Sequence, residues 1–161
     1  MPVTPEQLAN GSEHGEQAAV FCWAAMNFKQ YPLLRWMYAN PNGGGRSMSQ
    51  GLALKAEGVK SGVADIFLPV VRSYADWACP GLYIEMKKLK GVPSDVTREQ
   101  VEFAKFVTIQ GYRWHVCFGW QQAIELLVSY LDNVPYVLSK HQQMVHKRVM
   151  DYMQVKSDWQ L

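Results

Sequence analysis

Asp65 opens a short apolar segment, Ile66-Phe67-Leu68, and Glu85 and Lys87 close a second one, Leu82-Tyr83-Ile84-Glu85-Met86-Lys87. If the two segments are neighbouring strands, their carboxylates converge on one point. A hard divalent cation such as Mg²⁺ or Mn²⁺ prefers oxygen ligands of this kind. The Glu85-Met86-Lys87 triplet matters through its spacing, because alternation along a strand puts Glu85 and Lys87 on one face. A cation held there lowers the pKa of water and offsets the charge that builds on a phosphate. Lys87, a compact point charge on a flexible stem, orients the attacking water or stabilises the crowded transition state. An Asp and an E-x-K triplet also arise by chance, and a solvated strand end with an incidental ion pair is the commoner meaning of such a pattern. The setting argues for chemistry, since charges at the mouth of buried strands are less casual than charges on a free surface.

The elements that must position these groups can be read from breakers and periodicity. Ser12 caps a helix running to about Gln30, apolar on much of its circumference (Val20, Phe21, Trp23, Ala24, Met26) and therefore expected to be largely buried. Tyr31-Pro32 ends it. Leu33 to Ala39 reads as a short strand or extended segment before a loop at Asn40-Pro41-Asn42-Gly43-Gly44-Gly45. Ser47 to Glu57 is a second helix, stopped by Gly58. Asp65 to Val71 and Leu82 to Met86 are strands, with Pro69 marking an edge or strand end in the first. The connection Arg72 to Gly81 carries Tyr74 and Trp77, placed to cover the core or touch a ligand. After Gly91-Val92-Pro93, Ser94 or Thr97 caps a helix through Gln110, and Thr97 and Gln100 have capping-box spacing. Tyr112 to Phe118 alternates as a strand, Trp120 to Leu131 is helical, and Leu138 to Met153 is a last helix with Val145, Val149 and Tyr152 on one face. The order indicates a mixed α/β domain.

Bulk properties bound the reading. A chain of 161 residues, 48% hydrophobic and 19% charged, has the balance of one globular domain. No apolar run is long enough to span a bilayer. Met1 to Asn10 lacks the features of a secretory signal, so the expectation is a soluble, intracellular protein. Cys22, Cys79 and Cys117 form no C-x-x-C pair and read as small core residues of a reducing compartment. His141 and His146 are five apart, which misses the same-face spacing of a helical metal pair, so a zinc site is not expected. The net charge of +2 does not announce a nucleic-acid partner. Two basic groups, Arg46 with Lys55 and Lys60, and Lys87 with Lys88 and Lys90, flank the carboxylates.

The run Gly58-Val59-Lys60-Ser61-Gly62-Val63-Ala64-Asp65-Ile66, followed by Gly81-Leu82-Tyr83-Ile84-Glu85-Met86-Lys87, resembles the virus-type replication-repair nuclease (VRR-NUC) domain of the PD-(D/E)-x-K nuclease superfamily. The resemblance extends to Glu16-Gln17, to Pro41-Asn42-Gly43-Gly44 with Arg46, and downstream to Ser94, Gln100, Phe103, Gly111-Tyr112 and Val116. It spans roughly residues 12 to 131, and the combination is far more specific than any one piece. It implies a restriction-endonuclease-like α/β core with a mixed central sheet flanked by helices. It implies that Asp65 and Glu85 bind Mg²⁺ or Mn²⁺, with Met86 between them as a further metal contact, and that Lys87 is the catalytic lysine. Glu16 matches the first-helix acid near or on the metal, although a carboxylate in a first helical turn is also favoured by the helix dipole. Asn42, Arg46, Lys60, Ser61 and Gln100 match residues expected near DNA. Turn chemistry explains Asn42 and Arg46 as well, and Gln100 has its capping role. The sequence departs from the family at Ala64, where a proline is usual, and in the length of the Arg72 to Gly81 connection.

The implied activity is metal-dependent hydrolysis of DNA, structure-selective towards branched substrates such as Holliday junctions. It suits a homodimer, because a two-fold enzyme makes paired symmetric cuts, in the cytoplasm of a bacterium or a phage-infected cell. A less selective end-processing or restriction-like nuclease, and a non-catalytic DNA-binding protein on the same scaffold, are the other readings. Domain organisation follows: a tail over 1–11, the nuclease domain over 12–133 and a helical extension over 134–161. The apolar stripe of the last helix must be buried on its own domain or on a partner. The resemblance to two-fold enzymes favours a share in dimerisation, with Lys140, Lys147 and Arg148 extending the DNA surface.

Overall fold

The computed structural model describes residues 3–41 and 48–154. The helices among them are α1 (Pro5–Leu8), α2 (Glu13–Met26), α3 (Met48–Ala56), α4 (Arg98–Ile109), α5 (Trp120–Asp132) and α6 (Lys140–Gln154). The strands are β1 (Tyr38–Ala39), β2 (Ile66–Leu68), β3 (Arg72–Ser73), β4 (Ala78–Cys79), β5 (Leu82–Lys87) and β6 (Arg113–Phe118). Helix starts follow the expected chemistry. Ser12 Oγ accepts the Gly15 amide at the head of α2. At α4 the Thr97 amide donates to Gln100 Oε1 while Thr97 Oγ1 accepts the Gln100 amide, a complete capping box.

One sheet has the order β1-β2-β5-β6. β1 and β2 are antiparallel, as are β2 and β5, whereas β5 and β6 run parallel. The parallel pair needs a crossover, which α4 supplies. Leu82, Ile84 and Met86 point to one face and pack with Ile66, Leu68 and Cys117 against Ala19, Val20 and Ala24 of α2 and Leu126, Leu127 and Tyr130 of α5. The opposite face joins Ala64, Trp114, Val116 and Phe118 to Val101, Ala104 and Val107 of α4 and Val145 and Val149 of α6. Helices on both faces of a mixed sheet are the expected architecture.

Several local expectations are corrected. Leu33 to Ala39 is mostly not extended: Pro32 starts a 3-10 turn, Pro32–Trp36, because its fixed φ suits a first helical position, and only Tyr38–Ala39 pairs with β2. The strand after Asp65 ends at Leu68, ahead of Pro69. The connection from Arg72 to Gly81 is itself a small antiparallel ribbon, β3 with β4. Tyr74 and Trp77 stack there at 4.7 Å. Arg72 anchors the ribbon by donating to the Tyr130 and Leu131 carbonyls at the end of α5. The first residues are not only a tail, since α1 packs on α2. Cys79 and Cys117 are buried, but Cys22 is partly exposed and donates to the Val3 carbonyl.

The last helix belongs to the same body. Val145 and Val149 are buried within the chain, so their stripe requires no partner. Gln142 Nε2 donates 2.7 Å to the Val116 carbonyl, and α6 thereby covers the outer edge of β6, which would otherwise present open backbone groups. Arg148 donates to the Pro93 and Val96 carbonyls, and Lys147 pairs with Asp151. Both cations make bonds within the chain. Among the described residues no helix is long and apolar enough to cross a membrane.

Candidate active site

The register places the acids. Ile66 pairs with Ile84 in the antiparallel β2–β5 ladder, so one step towards the strand mouth Asp65 stands opposite Glu85. Backbone bonds hold that step in place. The Asn40 amide donates to the Asp65 carbonyl at 2.7 Å, and Asn40 Nδ2 donates to the Ala64 carbonyl at 2.7 Å. Thus Asn40 braces the turn into the strand where the family pattern has a proline. Asp65 Oδ2 accepts the Met86 amide at 2.8 Å. In an extended strand the amide and carbonyl of one residue lie on the same edge, so the Met86 carbonyl also faces the Asp65 side.

Lys87 Nζ lies 2.9 Å from Glu85 Oε1, the same-face pairing expected of the triplet. Gln100 Nε2 donates to that same oxygen. A single side chain therefore closes the α4 capping box, as its spacing predicts, and also orients Glu85. The other oxygen, Oε2, is buried with no hydrogen-bond partner.

Burial dominates the electrostatics. Glu85, 1% exposed, has its pKa pushed up to about 8, by burial first and then by the Asp65 charge, with Lys87 pulling the other way. Asp65 is raised too, by burial above all, against the lowering effect of the Met86 amide and Lys87. For Lys87 burial works downward, but Glu85, Glu13 and Asp65 outweigh it and the ammonium is held above its ordinary range. Two opposed carboxylates, one with an orphaned oxygen, and a carbonyl on the same edge suit a hard cation. Among the described residues no three His, Cys, Asp or Glu side chains gather closely enough to hold a metal, so a cation here would complete its shell with backbone oxygen or water.

Glu16 is not brought into this group. It is buried, and its Oε2 accepts the Trp120 amide at 2.9 Å. Gly119, before Trp120, has φ +88 and no side chain to cap α5, so Glu16 of α2 supplies the missing acceptor and a favourable charge at that helix start. The first-helix acid that does reach the cluster is Glu13, 3.5 Å from Lys87 Nζ. Sequence reasoning passed over it. The two acids are three residues apart and share a helix face, so spacing alone does not separate them.

Lys60 and Ser61 are exposed on the turn before Asp65. That turn is pinned by Gly62, at φ +84, where an added Cβ would come within 2.7 Å of the Glu99 backbone. The turn is thereby held against the head of α4, beside the site. Asn42 and Arg46 lie outside the described residues.

A search of solved structures gives a "VRR_NUC domain protein" that superimposes with a TM-score of 0.61 at 25% sequence identity, covering 78% of this chain and 93% of that one. This chain has the VRR-NUC fold. The superposition agrees with the mixed sheet and flanking helices of a restriction-endonuclease-like core. No protein-family model matches the sequence, and no curated protein does. The VRR-NUC likeness is therefore carried by the fold.

Proposed function

We propose that this VRR-NUC-type chain is a metal-dependent DNA endonuclease. The observation that carries the reading is the partly buried Asp65 facing the buried Glu85 across two strands, with Glu85 Oε2 unpartnered and Lys87 alongside. Asp65, Glu85 and the Met86 carbonyl would hold Mg²⁺ or Mn²⁺. When bound, the cation supplies charge neutralisation at the phosphate and a more acidic water. Lys87 then presents a permanent N–H donor to the phosphate or the attacking water, and the raised pKa keeps it charged. Glu13 and Gln100 fix the positions of Lys87 and Glu85. Glu16 acts on this site through the start of α5. Lys60 and Ser61 meet the DNA backbone from the turn before Asp65.

The substrate in this reading is branched DNA, cut by a homodimer whose two-fold symmetry matches a junction. The test is cleavage of labelled linear, flapped, splayed and four-way DNA with and without Mg²⁺ or Mn²⁺. Metal-dependent cutting with preference for the branched substrates is expected. A purified, folded chain that cuts none of them with either metal would sink the proposal.

A further inference from the structure

The sheet face that carries Asp65, Glu85 and Lys87 continues, one rung further, as a row of aromatic rings. Phe67 and Tyr83 are register partners and stack with centroids 4.2 Å apart. Tyr38, opposite Phe67 on β1, meets it edge-on at 5.7 Å. Tyr112 flanks Tyr83 at 5.4 Å and Phe67 at 5.9 Å. Two residues along a strand advance about 6.6 Å, so the row begins one rung from the carboxylates.

The ring faces are largely spent on one another, and Phe103 of α4 closes over Tyr83 at 5.1 Å. The hydroxyl groups are not spent. Those of Tyr38, Tyr83 and Tyr112 have no hydrogen-bond partner among the described residues. A tyrosine hydroxyl is an ordinary protonated donor at neutral pH. Tyr38 is 49% exposed and opens the row to solvent. Neutral O–H donors are common partners of nonbridging phosphate oxygens, which only accept.

We propose that Tyr38, Tyr83 and Tyr112 form a strip that binds the phosphodiester backbone of the substrate strand next to the scissile phosphate. The proposal rests on the nuclease reading above and names the part of the substrate that this face holds. These residues touch substrate but do no chemistry, so their contribution is to binding.

The experiment compares the wild-type chain with Tyr38→Phe alone, with Tyr38→Ala alone, and with Tyr38→Phe, Tyr83→Phe and Tyr112→Phe combined, in steady-state cleavage of labelled DNA over a range of salt. Phenylalanine keeps the ring packing, and Tyr38→Phe alone changes an exposed group. The triple variant is expected to raise KM roughly tenfold, the worth of one or two hydrogen bonds, with kcat within about twofold. Loss of neutral donors releases no fewer counterions, so the slope of log KM against log salt stays as in wild type. An unchanged KM in both phenylalanine variants, or a fall in kcat alone, overturns the strip while leaving the nuclease intact. A defect in Tyr38→Ala that Tyr38→Phe lacks overturns it in favour of base stacking on the ring. Wild-type protein that neither binds nor cuts DNA removes the strip and the nuclease reading together.

Discussion

Lys87 Nζ sits 2.9 Å from Glu85 Oε1, two residues away on the same strand face. That bond divides the labour of one carboxylate. Oε1 is held by Lys87 and Gln100, whereas Oε2 is left buried without a donor. An acceptor in that state costs free energy unless something positive meets it, and the opposed Asp65 sharpens the need.

Replacing Glu85 by Gln, or Asp65 by Asn, should reduce metal-dependent cleavage by on the order of 100-fold or more. Glu85→Gln should leave the melting temperature of the metal-free protein unchanged near neutral pH, where Glu85 is largely protonated, and raise it above about pH 8, where an ionised Glu85 would face Asp65. Cleavage rates and thermal melts on the same preparations check both halves. Near-normal cleavage by either variant would contradict the assignment.

The metal-free protein should lose stability as pH rises through neutrality. Glu85 titrates at about 8 when folded, against 4.5 as its ordinary value. Between those values the folded state binds more protons than the unfolded state, so unfolding free energy falls with pH. The contribution is fully present below about 4.5, declines across the interval and is gone above about 8. Metal competes with that proton, so metal affinity should climb over the same range. Denaturant midpoints and metal titrations at a series of pH values should show the two opposite trends, and Glu85→Gln should flatten both.

Glu13 and Glu16 should separate cleanly. Glu16→Ala strands the buried Trp120 amide and should cost about 1–3 kcal/mol of stability, with Glu16→Gln much milder because its amide oxygen still accepts. Glu13→Gln touches an exposed group and should barely change stability, but should lower cleavage by loosening Lys87. Unfolding curves beside cleavage rates for the three variants decide it. A stable Glu16→Ala chain with weakened metal binding would restore Glu16 to the metal site.

A chain ending at Asn133 should not fold. It loses Val145 and Val149 from the core and leaves the edge of β6 open. Circular dichroism and sedimentation on the truncated and full chains test this. The full chain is expected to sediment as a dimer, and a dimeric, well-folded truncated chain would place α6 outside the domain after all.

The same-face pairing of Glu85 with Lys87 was legible because strand alternation is a strict period: once Leu82 to Lys87 is a strand, the two must share a face. Capping at Ser12 and Thr97 was legible for a similar reason, since those bonds close within three residues. Gln100 was only half legible. Its bond to Thr97 is local, but its bond to Glu85 spans a strand-to-helix crossing that no spacing rule describes. The 3-10 turn at Pro32 and the β3–β4 ribbon went unread because elements so short depend on what they pack against, here α2 and the end of α5.

Local chemistry, written in the order of residues, specified which groups could act: two carboxylates and a lysine at the mouths of apolar strands. Tertiary structure alone decided which acid of α2 reached them. Glu13 and Glu16 differ by one turn on one helix face, and the choice falls to the start of α5, where Gly119 leaves an amide that only a neighbouring helix can satisfy. Glu16 takes that amide, so Glu13 is left to meet Lys87. The same holds for α6, whose stripe reads identically whether it faces a partner or its own sheet. A hydrophobic face records that it must be buried, not what buries it, and here α4 and the β6 side chains Trp114, Val116 and Phe118 supply the answer.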